Sequence, residues 1–201
     1  MKQLIIATQN KGKANDFKVI FEPMGFQVLT LLDVAEDLDI EETGTTFQEN
    51  AVLKAEAVAA ALQTTVIADD SGLEIDALNG EPGVYSARYA GEVKSDEANI
   101  DKVLAEMANV PAEERSARFR CVLAVASPDR PTETFAGACE GLILTERRGD
   151  NGFGYDPIFY VPSYDKSMAE LLPQEKALIS HRGNAIEELK AALPDWMKAT
   201  N

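Results

Sequence analysis

The chain has 201 residues, 45% of them hydrophobic, which suits one large domain or two closely packed lobes, is enough for a real core and excludes a disordered protein. Its 34 acidic against 19 basic residues give a net charge of −15, which repels nucleic-acid phosphates at long range and argues against a nucleic-acid partner. The 2 cysteines, Cys121 and Cys139, lack CxxC spacing; they exclude a disulfide framework, argue against a zinc site and read as buried thiols.

Leu4 to Thr8 reads as a first buried strand. Its apolar run is too short for a signal peptide or a membrane span, so a soluble cytoplasmic protein is expected. Gln9-Asn10-Lys11-Gly12-Lys13 follows as a polar loop. Phe17, Ile20, Phe21 and Met24 then recur at helical spacing, predicting a helix from Lys13 to Met24 that Gly25 closes. A second strand is expected over Phe26 to Leu31, completing a strand–loop–helix–strand opening typical of an α/β fold. A helix N-terminus binds anions, and Thr8, Asn10 and Lys13 add a hydroxyl, an amide and an ammonium there. The pattern is not the GxxxxGK[ST] of a P-loop, and taken alone it is better explained as a surface turn with solvated lysines.

Asp33 to Glu42 is acid-rich, with Glu36, Asp37, Asp39, Glu41 and Glu42; it reads as a solvated connection, from which one acid can serve a metal if the fold returns it. Thr46 and Glu49 have capping-box spacing ahead of an alanine-rich helix from Ala51 to Leu62 that carries Lys54. Next comes Thr65-Val66-Ile67-Ala68-Asp69-Asp70-Ser71-Gly72, where a buried strand runs into two carboxylates and Gly72 is expected to end it. Adjacent carboxylates repel unless a cation or proton offsets them. The stretch reads either as a metal ligand beside a proton acceptor or as a plain strand exit.

Leu73 to Leu78 alternates like a short strand or hairpin arm, and Asn79 to Gly83 is a turn cluster. Val84 to Tyr89, with Arg88, is either a loop over a cleft or a packing segment. Ser95 can cap a helix from Asp96 to Met107 with Ile100, Val103, Leu104 and Met107 on its apolar face. Ala117 to Ala126 is a long strand candidate. Thr132 to Cys139 would return antiparallel to it, and Gly141 to Leu144 would continue the sheet after a break. Gly152-Phe153-Gly154-Tyr155-Asp156-Pro157 alternates glycines with aromatics before a strand over Ile158 to Val161. Glycines admit close approach and aromatic faces stack on a base, although a glycine-rich turn has the same composition. Lys176 to Gly183 contains the only histidine, His181, between Ser180 and Arg182, ahead of a helix with Ile186, Leu189, Ala192 and Leu193 on one face. One histidine excludes a His-cluster metal site, and no G-x-S-x-G elbow is present.

Taken together, Thr8 to Lys13, Glu41 to Gly44 with Phe47, Glu49, Asn50 and Ala51, Ala68 to Leu73, Pro82 to Tyr89, Gly152 to Pro157 and Ser180 to Gly183 form an ordered set. The chain resembles the inosine triphosphate pyrophosphatase family, over almost its whole length. The resemblance implies an elongated α/β fold with a central mixed sheet flanked by helices, a single pyrophosphatase domain over 1–201 of two lobes with a cleft between them, and a homodimer. It implies hydrolysis of ITP, dITP or XTP to the monophosphate and pyrophosphate with Mg²⁺. Residue by residue, it makes Thr8, Gln9, Asn10, Lys11, Gly12 and Lys13 triphosphate contacts, Asp70 the proton acceptor and a metal ligand, and Glu41 a second metal ligand. Ser71 would contact substrate; Phe153, Gly154, Tyr155 and Asp156 would stack on and read base and sugar; Lys176, His181 and Arg182 would complete the nucleotide pocket, with Lys54 and Arg88 as further contacts. Gln9 stands where many relatives have glycine, in a variable slot.

Overall fold

A computed structural model describes residues 2–38 and 40–192. Asp39 and Leu193, which the sequence reading assigned to the acidic connection and the last helix face, lie outside the described residues. The strands are β1 (Lys2–Ile6), β2 (Phe26–Thr30), β3 (Val66–Ile75), β4 (Ser116–Ser127), β5 (Arg130–Ile143), β6 (Phe159–Val161) and β7 (Lys166–Ser167). The helices are α1 (Lys11–Phe21), α2 (Leu31–Val34), α3 (Phe47–Leu62), α4 (Asp96–Glu106), α5 (Pro173–Ile179) and α6 (His181–Ala192). The sheet has the strand order β2-β1-β3-β4-β5-β6-β7, parallel among β2, β1 and β3 and antiparallel from β5 to β7, which makes it the mixed α/β sheet expected.

Two compact units divide the chain. The first comprises 1–70, 121–137 and 181–201, the second 71–120 and 138–180. In the first unit, alternate strand residues face opposite ways and build two apolar layers. Leu4, Ile6, Val28, Ile67, Cys121 and Leu123 pack with Phe17 and Phe21 of α1 and Ile186 and Leu189 of α6. Ala7, Val66, Ala68, Ala124 and Ala126 pack with Ala51, Ala55, Val58 and Ala59 of α3. The small residues of α3 let that helix lie close to a strand surface that is itself mostly alanine. The second unit has its own core, in which Leu73, Ile75, Phe119 and Phe159 meet Ile100, Val103 and Met107.

The local signals act as read at the helix starts. Thr46 caps α3 with the reciprocal Glu49 bond, and Ser95 accepts from the Ala98 N–H at the start of α4. Asn10 accepts from the Lys13 N–H, so α1 begins at Lys11 rather than Lys13 and gives way to a 3-10 turn over Glu22–Met24 at Pro23. Leu31 opens α2 instead of ending β2. Three expected boundaries are overturned, and one open alternative is resolved. β3 passes straight through Gly72 to Ile75 and takes in the first half of the predicted hairpin arm, the rest of which is a 3-10 turn over Asp76–Leu78. β5 is continuous, because Gly141 lets Phe159 and the Tyr160 carbonyl approach where a Cβ would stand 2.4 Å from that oxygen. Val84 to Arg88 is a 3-10 packing segment, with Ser86 buried and donating to the Gly83 carbonyl. Ile158 closes a 3-10 turn over Asp156–Ile158, so β6 begins only at Phe159.

Candidate active site

The site begins with a property of strands. Successive side chains point to opposite faces, so Asp69 and Asp70 do not stand side by side. Asp69 shares the face of Ile67 and points toward α1 and α6; Asp70 shares the face of Ala68 and points toward α3. The repulsion anticipated between adjacent acids is thereby reduced, and each carboxylate acquires its own surroundings.

Asp69 is fully buried. Arg182 Nη2 donates to its Oδ2 at 2.8 Å, and Lys13 Nζ lies 3.2 Å from the same oxygen. Burial pushes this carboxyl up, but Lys13, Arg182 and Lys54 override it and hold the group below the ordinary carboxylate range. Arg182 is itself sealed at 0% exposure, donates from Nη1 to Asp16 Oδ2 at 2.7 Å and lies over the Phe17 ring at 5.7 Å. A guanidinium suits this place because its planar fork serves two carboxylates at once.

Asp70 is different. It is 6% exposed, and Asn50 Nδ2 donates to its Oδ2 at 3.1 Å. Burial raises its carboxyl to about 6; Lys13 and Lys54 pull it down, Glu42 pushes it up, and the Asn50 bond lowers it slightly. Lys54 and Glu42 form an ion pair, and Lys54 is kept protonated against the cost of burial by Glu42, Asp69 and Asp70. Glu41, the metal ligand implied by resemblance, is exposed.

The first loop presents Thr8, buried, whose Oγ1 accepts from the Asn10 N–H at 3.1 Å. Gln9 and Asn10 are exposed, and Gln9 Nε2 donates to the Glu36 carbonyl at 3.0 Å, tying this loop to the acidic connection. Lys11, Gly12 and Lys13 form the first turn of α1 and leave its early N–H groups at the mouth of the loop. His181 opens α6 and is buried. Gly137 of β5 packs on this turn so closely that a Cβ would stand 2.3 Å from the His181 carbonyl oxygen.

The second unit holds the aromatic motif. Gly154 donates its N–H to Asp96 Oδ2 at 2.7 Å, and the buried Tyr155 hydroxyl donates to the Ser86 carbonyl at 2.7 Å. Lys176 Nζ meets Asp156 Oδ2 at 2.6 Å and lies over the Phe153 ring at 4.7 Å. Asp156 also accepts from the Phe153 N–H at 3.1 Å. Tyr155, Asp156 and Lys176 are buried, while Phe153, Gly154 and Ser71 are half-buried. Arg88 ends the 3-10 segment at Gly83–Arg88.

Sequence reasoning gave no role to Asp16 or Asn50 in the carboxylate cluster, nor to Asp96 as the brace of the aromatic loop. Glu42 stood among the acids from which one metal ligand was expected, and Asn50 carried a signal as a polar residue on the alanine-rich face of α3.

Among the described residues, no group of three or more His, Cys, Asp or Glu is assembled to hold a metal by itself. A buried carboxylate with cations around it, set beside a helix N-terminus, defines an α/β protein equipped for phosphate chemistry. The chain matches the model of the Ham1 family over residues 4–192 and belongs to that family. It is 55% identical to a dITP/XTP pyrophosphatase of Bacillus cereus over 198 residues, 98% of this chain and 97% of that one. It is 58% identical to a dITP/XTP pyrophosphatase of Oceanobacillus iheyensis, covering 94% of this chain and 97% of that one. The solved structure of the Staphylococcus aureus Ham1 protein superposes with a TM-score of 0.84 at 55% identity, covering 97% of this chain and 100% of the other.

Proposed function

We propose that this chain hydrolyses deaminated purine nucleoside triphosphates, ITP, dITP and XTP, to the monophosphate and pyrophosphate, with Mg²⁺ as cofactor, clearing them from the nucleotide pool. The observation that carries the reading is Asp70: a buried carboxylate held by Asn50, pushed up to about 6 by burial and acted on by the charges of Lys13, in the first turn of α1, and Lys54. Relatives more than half identical over nearly the whole chain bear the name dITP/XTP pyrophosphatase, which supports the substrate class.

Phosphoryl transfer depends on positioning and charge neutralisation more than on covalent chemistry. Thr8, Gln9, Asn10, Lys11, Gly12 and Lys13 are assigned to the triphosphate, through the N–H groups of α1 and the two ammonium groups. Asp70 accepts the proton of the attacking water; a carboxylate raised toward 6 is a stronger base than an ordinary one and is still largely ionised at neutral pH. Asp69 does no acid–base work, because Arg182 and Lys13 hold it ionised. Arg182 acts from the buried cluster, fixing Asp69 and through it Lys13.

The residues fit Mg²⁺, a hard cation that takes one or two carboxylates and completes its shell with water and substrate phosphates. Asp70 and Glu41 are the proposed ligands, and Glu42 adds negative charge beside Asp70. The ion, when bound, would neutralise charge on the phosphates.

Phe153, Gly154, Tyr155 and Asp156, with Lys176 and His181, are assigned to the base and sugar, Phe153 by stacking and the buried members by shaping the loop. Ser71, which follows Asp70 in β3, is assigned a substrate contact. The homodimer and the cytoplasmic location belong to the same proposal; light scattering of the purified chain tests the dimer. Among the described residues no helix is long and apolar enough to cross a membrane.

Steady-state hydrolysis of ITP, XTP, dITP, GTP, ATP and dTTP, with pyrophosphate and phosphate measured separately, tests the reading. Pyrophosphate release from ITP, dITP and XTP well above the others is expected. Turnover of dTTP alone, or saturable binding without turnover, would overturn it.

A further inference from the structure

One amide holds both sides of the carboxylate site. Asn50 stands in the first turns of α3 and is 3% exposed. Its Oδ1 accepts the Gly44 N–H at 2.7 Å, and its Nδ2 donates to Asp70 Oδ2 at 3.1 Å. These partners fix the orientation of the amide. Turned over, the NH₂ would face an N–H donor and the carbonyl oxygen would face a carboxylate, two repulsive contacts in place of two bonds. The loop can come this close only because residue 44 has no side chain. A Cβ there would stand 2.6 Å from Asn50 Oδ1 and 2.7 Å from Glu49 Cβ. Gly44 lies two residues after Glu42 and three after Glu41, so the anchored loop carries both acids. The helix that supplies Asn50 is pinned at its own start by the Thr46–Glu49 capping box.

We propose that Asn50 is a positioning residue for hydrolysis. It sets the plane of the Asp70 carboxylate and fixes the segment bearing Glu41 and Glu42 relative to it, so that both sides of the metal-binding site are referenced to one side chain. The proposal rests on the pyrophosphatase reading for its kinetic test and on the fold alone for its spectroscopic one. Partners of this kind, which orient a ligand without touching the metal, typically change metal affinity or activity by ~10–100-fold when removed.

Asn50→Asp separates the two contacts. The new carboxylate still accepts from Gly44 but presents an acceptor to Asp70 where a donor stood. The expected result is a fall in kcat of ~10–100-fold, a KM for ITP within about threefold of wild type, and a higher Mg²⁺ concentration for half-maximal activity. Asn50→Ala, which loses both bonds, should show the same kcat loss with a lower melting temperature. If Asn50→Asp keeps the wild-type kcat and Mg²⁺ dependence, Asn50 merely anchors the loop and the proposal fails.

A measurement on folded wild-type protein covers the case in which neither variant folds. The Asn50 side-chain NH₂ resonances should be protected from solvent exchange. They should also move when Mg²⁺ is titrated without nucleotide and when Asp70 is replaced by Ala. Rapid exchange, or shifts indifferent to both, would overturn the proposal. If wild type itself releases no pyrophosphate from ITP, dITP or XTP, the functional reading falls while the NH₂ test still decides the role of Asn50.

Discussion

Arg182 Nη2 lies 2.8 Å from Asp69 Oδ2, and both side chains are at 0% exposure. This pair is joined by Lys13 on one side and Asp16 on the other. A charge buried this deeply is tolerated only with its partners in place, so the cluster fixes the position of Lys13 as well as the packing of α6 against α1.

Arg182→Met should therefore lower both stability and activity. Removing one partner of a buried ion pair typically costs about 3–5 kcal/mol. Urea denaturation should show that loss. Below the unfolding transition, kcat/KM for ITP should also fall, because Lys13 becomes the main cation left for Asp69. A variant with wild-type stability would contradict the buried cluster.

Asp70 imposes a pH-dependent cost on the metal-free fold. Its carboxyl titrates at about 6 in the folded chain against an ordinary 3.8. The folded state thus holds this proton more tightly than the unfolded state. The associated stability is fully present below pH 3.8, is lost as pH rises through 6, and amounts to about 3 kcal/mol at most. Asp70→Asn should stabilise the metal-free protein by up to about 3 kcal/mol at pH 8 and change little near pH 4. The same variant should lose ~10²–10⁴-fold in kcat. Denaturant titrations at the two pH values and one kinetic assay check both halves.

With Asp70 as a ligand, as proposed, Mg²⁺ would compete with that proton. Adding Mg²⁺ should raise the melting temperature more at pH 8 than at pH 5, since a ligand stabilises in proportion to its affinity for the folded state. Removing divalent ions with a chelator should abolish pyrophosphate release, and returning Mg²⁺ should restore it. Equal thermal shifts at the two pH values would argue against Asp70 as a ligand.

Lys54 pulls the Asp70 carboxyl downward from its buried value. Lys54→Met should raise that group further, moving the acid limb of the kcat/KM profile to higher pH and lowering activity at pH 7. A pH–rate profile from 5 to 9 reads the displacement; an unmoved limb would detach Lys54 from Asp70.

Gly152 has φ +79°, a conformation L side chains rarely adopt, and a Cβ there would stand 2.0 Å from Asp156 Oδ2. Gly152→Ala should disturb the Lys176–Asp156 pair beneath Phe153 and raise KM for ITP roughly tenfold, about 1.4 kcal/mol of binding. The activation by Mg²⁺ should be unchanged, because that loop belongs to the other unit.

The sequence by itself determined the caps of α3 and α4, the α/β class and the segments that carry the candidate site. The caps rest on local chemistry: Thr46 with Glu49, and Ser95, each satisfy N–H groups within three residues of themselves, whereas the sequence reading misses the Asn10 cap of α1. Breaks were less legible. Gly72 and the Gly141 region carry turn signals, yet β3 and β5 run on. At Gly141 the local preference is overruled because the Tyr160 carbonyl and the Phe159 ring occupy the space a side chain would need. The resemblance singled out Asp70, but only the tertiary structure shows what physically divides it from Asp69. Their difference depends on which face of β3 meets Arg182 from α6, 113 residues away, and which meets Asn50 from α3. Alternation along the strand says that the two must point apart; it does not say which finds a guanidinium and which an amide. That assignment holds Asp69 ionised and raises the Asp70 carboxyl to about 6.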